Sequence, residues 1–327
     1  MKRTNRIVLC FMITIALLFI LFFTAVNTGG LKVGAGQLFK GLFIEYDKMV
    51  AAIYDLRLPR IFISMLAGAG IAVSGVLFQA ILQNPLADPG IIGISGGAGF
   101  FTATAAVLVP SLYLLTPVFA FAGGCTAFLI VYSISWKDGL RPVRIILIGI
   151  AVNAVFQGLV EVLNSISGQN VSQVASIVEG NISVKTWSDV KMLAVFIVIG
   201  LFGAMLTAER CNLLSLEEKT IQSLGIRVNI VRLYISGIAV LLVCICTAVT
   251  GVIGFLGLIV PHIGRLLVGR EHRVLIPYTV ILGALVYLAA DTVGRAAAYP
   301  YEIPAAVIMA VAGGPFFIFL LRRSKTV

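Results

Sequence analysis

The chain has 327 residues, 60% of them from the apolar set AVILMFWYC and only 12% charged, with a mean hydropathy of +1.07. A soluble domain is about 25% charged, so a water-soluble fold cannot hide this much apolar surface. Ten membrane spans of about 20 residues each would take up roughly 200 residues and leave only short loops.

No Gly-x-x-x-x-Gly-Lys-[Ser/Thr] phosphate loop occurs in the sequence, which assigns any ATP chemistry to another subunit. The formal charge of +10 admits nucleic acid, anionic lipid or control of membrane topology. Cys10, Cys125, Cys211, Cys244 and Cys246 lie mostly inside apolar runs without paired spacing, so neither a disulfide framework nor a metal site is indicated.

In chain order, the first apolar run covers 7–26 behind a basic head. It is too long for a signal-peptide core and lacks an Ala-x-Ala site, so it reads as a retained first span. Further spans are predicted at 61–82, 91–109, 113–135, 143–163 and 192–208, followed by a loop at 209–229. The stretch 233–268 would extend about 54 Å as one helix, so it must fold back near Thr250-Gly251, giving spans at 230–250 and 252–268. Spans at 275–297 and 303–321 complete an all-α polytopic membrane protein of ten helices forming one domain, 1–327.

Sixteen of the 24 Lys and Arg fall on the side of the N-terminus. The positive-inside rule then puts both termini in the cytoplasm and explains the basic excess without nucleic acid. With ten spans, the block of spans two to five opens outside and that of spans seven to ten opens inside, the organisation of an inverted-topology repeat.

Between spans six and seven, Ser215 and Glu218 have the spacing of a capping box and Gly225 suits the position after a helix end, which predicts a short helix over 216–224. Leu216, Ile221 and Leu224 give it an apolar edge away from Glu217 and Glu218, a build suited to the groove of a soluble partner. An interfacial helix lying on lipid is the rival reading, opposed by the repulsion between the acidic pair and anionic headgroups. Arg57 and Arg60 flank Pro59 at the start of span two, where positive charge opposes the helix dipole, so they either snorkel to phosphates or receive carboxylates from a partner. Arg295 can pair with Asp291 one turn earlier. Gly93-Ile94-Ser95-Gly96 fits an intramembrane serine protease pattern, but that chemistry needs a His near the same depth, and His262 and His272 flank the short loop after span eight on the cytoplasmic side.

The sequence resembles the permease family of ABC importers for iron-siderophores, haem and vitamin B12. The matching elements are Arg57-Leu-Pro-Arg60, Ser74 to Gly97 with Asn84-Pro-Leu-Ala-Asp-Pro-Gly90, Gly254 to Arg265, Ala290-Asp291, and Glu302-Ile-Pro304 followed by Gly313-Gly-Pro-Phe316. The resemblance implies a vitamin B12 permease-like fold in the bacterial cytoplasmic membrane, paired with a second permease subunit as homodimer or paralogue. It also implies two cytoplasmic ATPase subunits that use ATP and Mg, no cofactor in this chain, and an extracytoplasmic binding protein or lipoprotein. By the same resemblance Arg57, Arg60 and Arg295 would meet acidic residues of the binding protein, the 215–225 segment would contact the ATPase, and the cytoplasmic gate would fall on Pro142 and Val143. The cargo expected is an iron chelate, a ferric siderophore first, with haem or cobalamin as the alternatives. An ion-coupled secondary transporter is the alternative, but it needs an ionisable group at mid-membrane depth, and Glu161 and Asp291 both fall toward the outer ends of their spans.

Overall fold

The computed structural model describes residues 3–28, 33–44, 47–90, 92–136, 142–166, 182–183, 185–298 and 301–323. All regular structure among them is helical: α1 (Arg3–Asn27), α2 (Ala35–Phe43), α3 (Lys48–Leu56), α4 (Leu58–Ile81), α5 (Ile94–Leu108), α6 (Thr116–Trp136), α7 (Pro142–Ile166), α8 (Trp187–Leu206), α9 (Ala208–Leu213), α10 (Glu218–Ser223), α11 (Val228–Thr250), α12 (Leu256–Val268), α13 (His272–Ala297) and α14 (Ala305–Arg323). Seven helical stretches are long and apolar enough to cross a bilayer, and α5, α12 and α14 are shorter apolar helices. These helices fall on the ten apolar runs of the sequence.

Burial separates the lipid-facing helices from the centre. The most apolar window within 48–81 is 83% buried, whereas that of α1 is 6% buried. Helix α4 is therefore the hub, packed by α8, α11, α12 and α13. Apolar burial cannot drive this association in lipid, so close backbone approach takes its place. A Cβ on Gly68 would run into the carbonyl of Gly283 on α13, and one on Gly75 into the carbonyl of Gly257 on α12.

The packing repeats between the two halves. The contacts α5–α6, α5–α7 and α6–α7 recur as α12–α13, α12–α14 and α13–α14, and the crossings of α4 on α12 and α13 recur as those of α11 on α5 and α6. Both short second helices also begin from a left-handed residue, Gly93 (φ 88°) before α5 and Phe255 (φ 65°) before α12.

Several expected boundaries are corrected. The expected span at 252–268 is helical only from Leu256, because Gly251 (φ 71°, ψ −170°) breaks α11 and the chain runs non-helically to Phe255. The expected span at 91–109 is helical only from Ile94. Helices α2 and α3 were not expected at all. Asp47 caps α3 by accepting from the Met49 and Val50 amides, and α2 packs back on α3. At nine residues each they are too short to register in a span-length reading.

Candidate functional site

The bundle has a proximal end, where α1 begins, and a distal end, where α1 finishes. At the distal end Arg60, in the first turn of α4, points inward. Its Nε lies 2.9 Å and its Nη2 2.8 Å from Asp291 Oδ1. Its Nη1 donates to Glu302 Oε2 at 2.6 Å and to Ser183 Oγ at 2.9 Å. Arg295 Nε stands 3.2 Å from Asp291 Oδ2, a charge contact without hydrogen-bond alignment. Asp291 is fully buried. Burial of Glu302 opposes its ionisation, but the hydrogen bonds from Arg60 and Ser183 prevail and hold its carboxyl below the ordinary carboxylate range.

Two further contacts give these arginines a local role. Arg57 Nη1 donates to the Val26 carbonyl at 2.7 Å and Arg295 Nη2 to the Ala25 carbonyl at 3.2 Å. Both acceptors lie in the last turn of α1, whose unsatisfied carbonyls and negative dipole end favour cations. The charge that opposes the dipole of α4 thus serves that of α1. The expectation of three outward-facing arginines is corrected for two of them: Arg60 is 6% and Arg295 7% exposed, each held by carboxylates of its own chain. Only Arg57 is half-buried. Glu302 and Ser183 are partners that sequence reasoning missed, although Glu302 stands inside a recognised motif.

At the proximal end, the expected helix at 216–224 is a single turn and a half, α10, preceded by α9. The capping box does not form: Ser215 Oγ donates to the Asn212 carbonyl instead, and Glu217 occupies the cap position without a side-chain bond. The C-terminal cap is as expected. Gly225 has φ 75°, its amide donates to the Gln222 carbonyl, and Ile226 donates to Ile221, a Schellman motif. Ile221 is corrected from partner-facing to core, at 1% exposure, while Leu216 and Leu224 remain exposed. Glu218 lies 3.5 Å from Arg232.

The loop is fastened to the body. Gln83 Nε2 donates to the carbonyls of Leu214 (2.5 Å) and Leu216 (3.2 Å). Asn212 Oδ1 accepts from the His272 backbone amide at 2.9 Å, capping α13, and stands 2.7 Å from His272 Nδ1. Burial pushes the Cys211 thiol in α9 up to about 12.

Along α7, Ala151, Ala154, Gly158, Glu161 and Ser165 recur at three- and four-residue spacing and are all exposed. An ionisable, small-residue stripe is a poor lipid face. Pro142 and Val143 open this helix, and their side chains lie outside the described residues.

The family model of the FecCD transport family matches residues 17–323. The heme-iron transport system permease protein IsdF of Staphylococcus aureus strain Newman is 37% identical over 325 residues, covering 99% of both chains. A solved inward-facing conformation of a metal-chelate type ABC transporter superposes with a TM-score of 0.77 at 30% identity, over 95% of this chain and 99% of that one. PsaBC from Streptococcus pneumoniae, in complex with Fab, matches at TM-score 0.57 and 16% identity over 88% of this chain and 95% of that chain, a likeness of fold.

Proposed function

The chain belongs to the FecCD transport family, and from that membership we propose that it is the membrane-spanning subunit of an ATP-driven importer of an iron chelate. Haem is the cargo named for IsdF, and ferric siderophores share its bulk and its tightly held iron. The sequence holds no phosphate loop, so two copies of a cytoplasmic ATPase supply ATP hydrolysis with Mg.

The single observation that carries the pathway is the exposed stripe of Ala151, Ala154, Gly158, Glu161 and Ser165 on α7. Paired with a second permease subunit, this face would enclose a wide, weakly binding channel in place of lipid. The gate at its cytoplasmic end is proposed near Pro142 and Val143. Exposed Leu216 and Leu224, on the loop pinned by Gln83 and Asn212, are the proposed ATPase contact. The basic excess on that side supports a cytoplasmic proximal end.

The binding protein is proposed to dock at the distal end around Arg57. Its carboxylates would reach Arg60 only by exchange with Glu302, which is half-exposed at the edge of the cluster. An ion-coupled mechanism fits less well, because Asp291 is already neutralised by Arg60 and Arg295. Uptake of ⁵⁵Fe-labelled haem and a panel of ferric siderophores, in a strain deleted for this gene and complemented with it, tests the proposal. Restored uptake that also requires the cognate ATPase gene supports it, and uptake indifferent to both genes refutes it.

A further inference from the structure

At the proximal end a cleft of about 700 Å³ opens between the end of α4, the turn at 83–85, the α9–α10 loop and the end of α12. Arg265 and Arg270 line it, with Glu217 as the acidic residue among the lining side chains. Arg265 is the unusual member. Its Nη2 donates to Gln79 Oε1, its Nη1 is buried without any hydrogen-bond partner, and among the described residues no carboxylate lies within ion-pair distance. A largely buried guanidinium left without a counter-charge is unfavourable unless something completes it.

We propose that this cleft is an anion-binding site that receives a carboxylate side chain from the cytoplasmic ATPase, with Arg265 at its floor and Arg270 at its rim. The inference rests on the reading of this chain as an ABC permease and adds a second contact beside the α10 helix. The guanidinium fork matches a carboxylate in geometry. A soluble partner is favoured over a lipid headgroup because the floor of the cleft is the end of α4, the most enclosed helix, and its wall is the same loop that presents Leu216. The contact would also reach into the bundle. Gln79, which holds Arg265, donates through Nε2 to the carbonyls of Ala87 (3.2 Å) and Gly257 (3.1 Å). A carboxylate drawing on Arg265 therefore pulls on the crossing of α4 with α12 at the point where the two repeats meet.

The test uses the full permease in detergent, titrated with its purified ATPase subunit at low and high salt, comparing wild type with Arg270→Glu, Arg265→Gln, Arg265→Lys and Leu224→Asp. Arg270→Glu and Arg265→Gln are each expected to weaken binding about tenfold, equivalent to about 1.4 kcal/mol, and to flatten its salt dependence. Arg265→Lys should recover part of the loss. Arg270→Glu acts at the exposed rim, so it reports even if Arg265→Gln fails to fold. Reversing an acidic residue of the ATPase to Lys should restore affinity for Arg270→Glu. If Leu224→Asp abolishes binding while Arg270→Glu binds as wild type, the cleft proposal is wrong and the ATPase reading stands. If no variant alters binding, both fall. If Arg270→Glu loses co-purifying phosphatidylglycerol and keeps its ATPase affinity, the site belongs to lipid and the proposal is overturned.

Discussion

Replacing Asp291 by Ala removes the one fully buried carboxylate of the distal cluster and leaves Arg60 and Arg295 facing each other. Breaking a buried ion pair from one side costs about 3–5 kcal/mol, because the remaining charge stays desolvated. Glu302→Gln makes the comparison. Glu302 is 44% exposed and is replaceable by water, so its removal should cost about 0.2–1 kcal/mol. Its carboxyl is held below the ordinary 4.5, so its contribution is fully present at neutral pH and is lost only as pH falls through that lowered value. Thermal unfolding of the detergent-solubilised protein, followed by loss of the monodisperse peak, should therefore rank Asp291→Ala far below Glu302→Gln, with Glu302→Gln close to wild type. The triple variant Arg60→Met, Asp291→Leu, Arg295→Met should recover most of the loss, since apolar groups of similar volume often replace buried ions without penalty. Equal midpoints for Asp291→Ala and Glu302→Gln would refute the claim that the cluster is internal.

Three other outcomes are expected. Leu224→Asp should abolish co-purification of the ATPase with little effect on permease folding, whereas Ile221→Asp should destabilise the loop itself, since burying that charge costs several kcal/mol; co-purification by both variants at the wild-type level contradicts the assignment. Single cysteines at Tyr301 and Ser223 should label from opposite sides of the membrane with an impermeant maleimide, and labelling of both from one side sinks the ten-helix topology. Native Cys211, raised to about 12 by burial, should gain no maleimide reactivity between pH 7 and 9 in folded protein, where an exposed thiol gains steeply.

The helices were legible because span length and apolarity are one-dimensional properties of the sequence, and the break at Thr250-Gly251 followed from length alone. The repeat, legible in the arrangement of the spans, also has a local signature: Gly90-Ile91-Ile92-Gly93 and Gly251-Val252-Ile253-Gly254 recur before the second helix of each block, and Ile92 and Ile253 are both 2% exposed. What was not legible depended on distant partners. The dipole argument shows that Arg57 and Arg60 need partners from elsewhere, phosphates or carboxylates, but not that the end of α1 stands beside Arg57 or that Asp291 and Glu302 of the same chain stand beside Arg60. Ser215 and Glu218 had capping-box spacing, yet Asn212 offers a nearer acceptor and the turn tightens. Ile221 looked partner-facing because amphipathicity shows an apolar edge without saying what covers it.

The central claim is transport driven by a partner's ATP hydrolysis, and it is tested most directly in proteoliposomes holding the permease with its ATPase subunit. With ATP and Mg enclosed on the side of the α9–α10 loop, and binding protein loaded with ⁵⁵Fe-haem or ferric siderophore on the other, the chelate should accumulate at a rate unaffected by protonophore and abolished by omitting the ATPase. Accumulation by the permease alone, driven by a proton or sodium gradient and indifferent to ATP, would contradict the account.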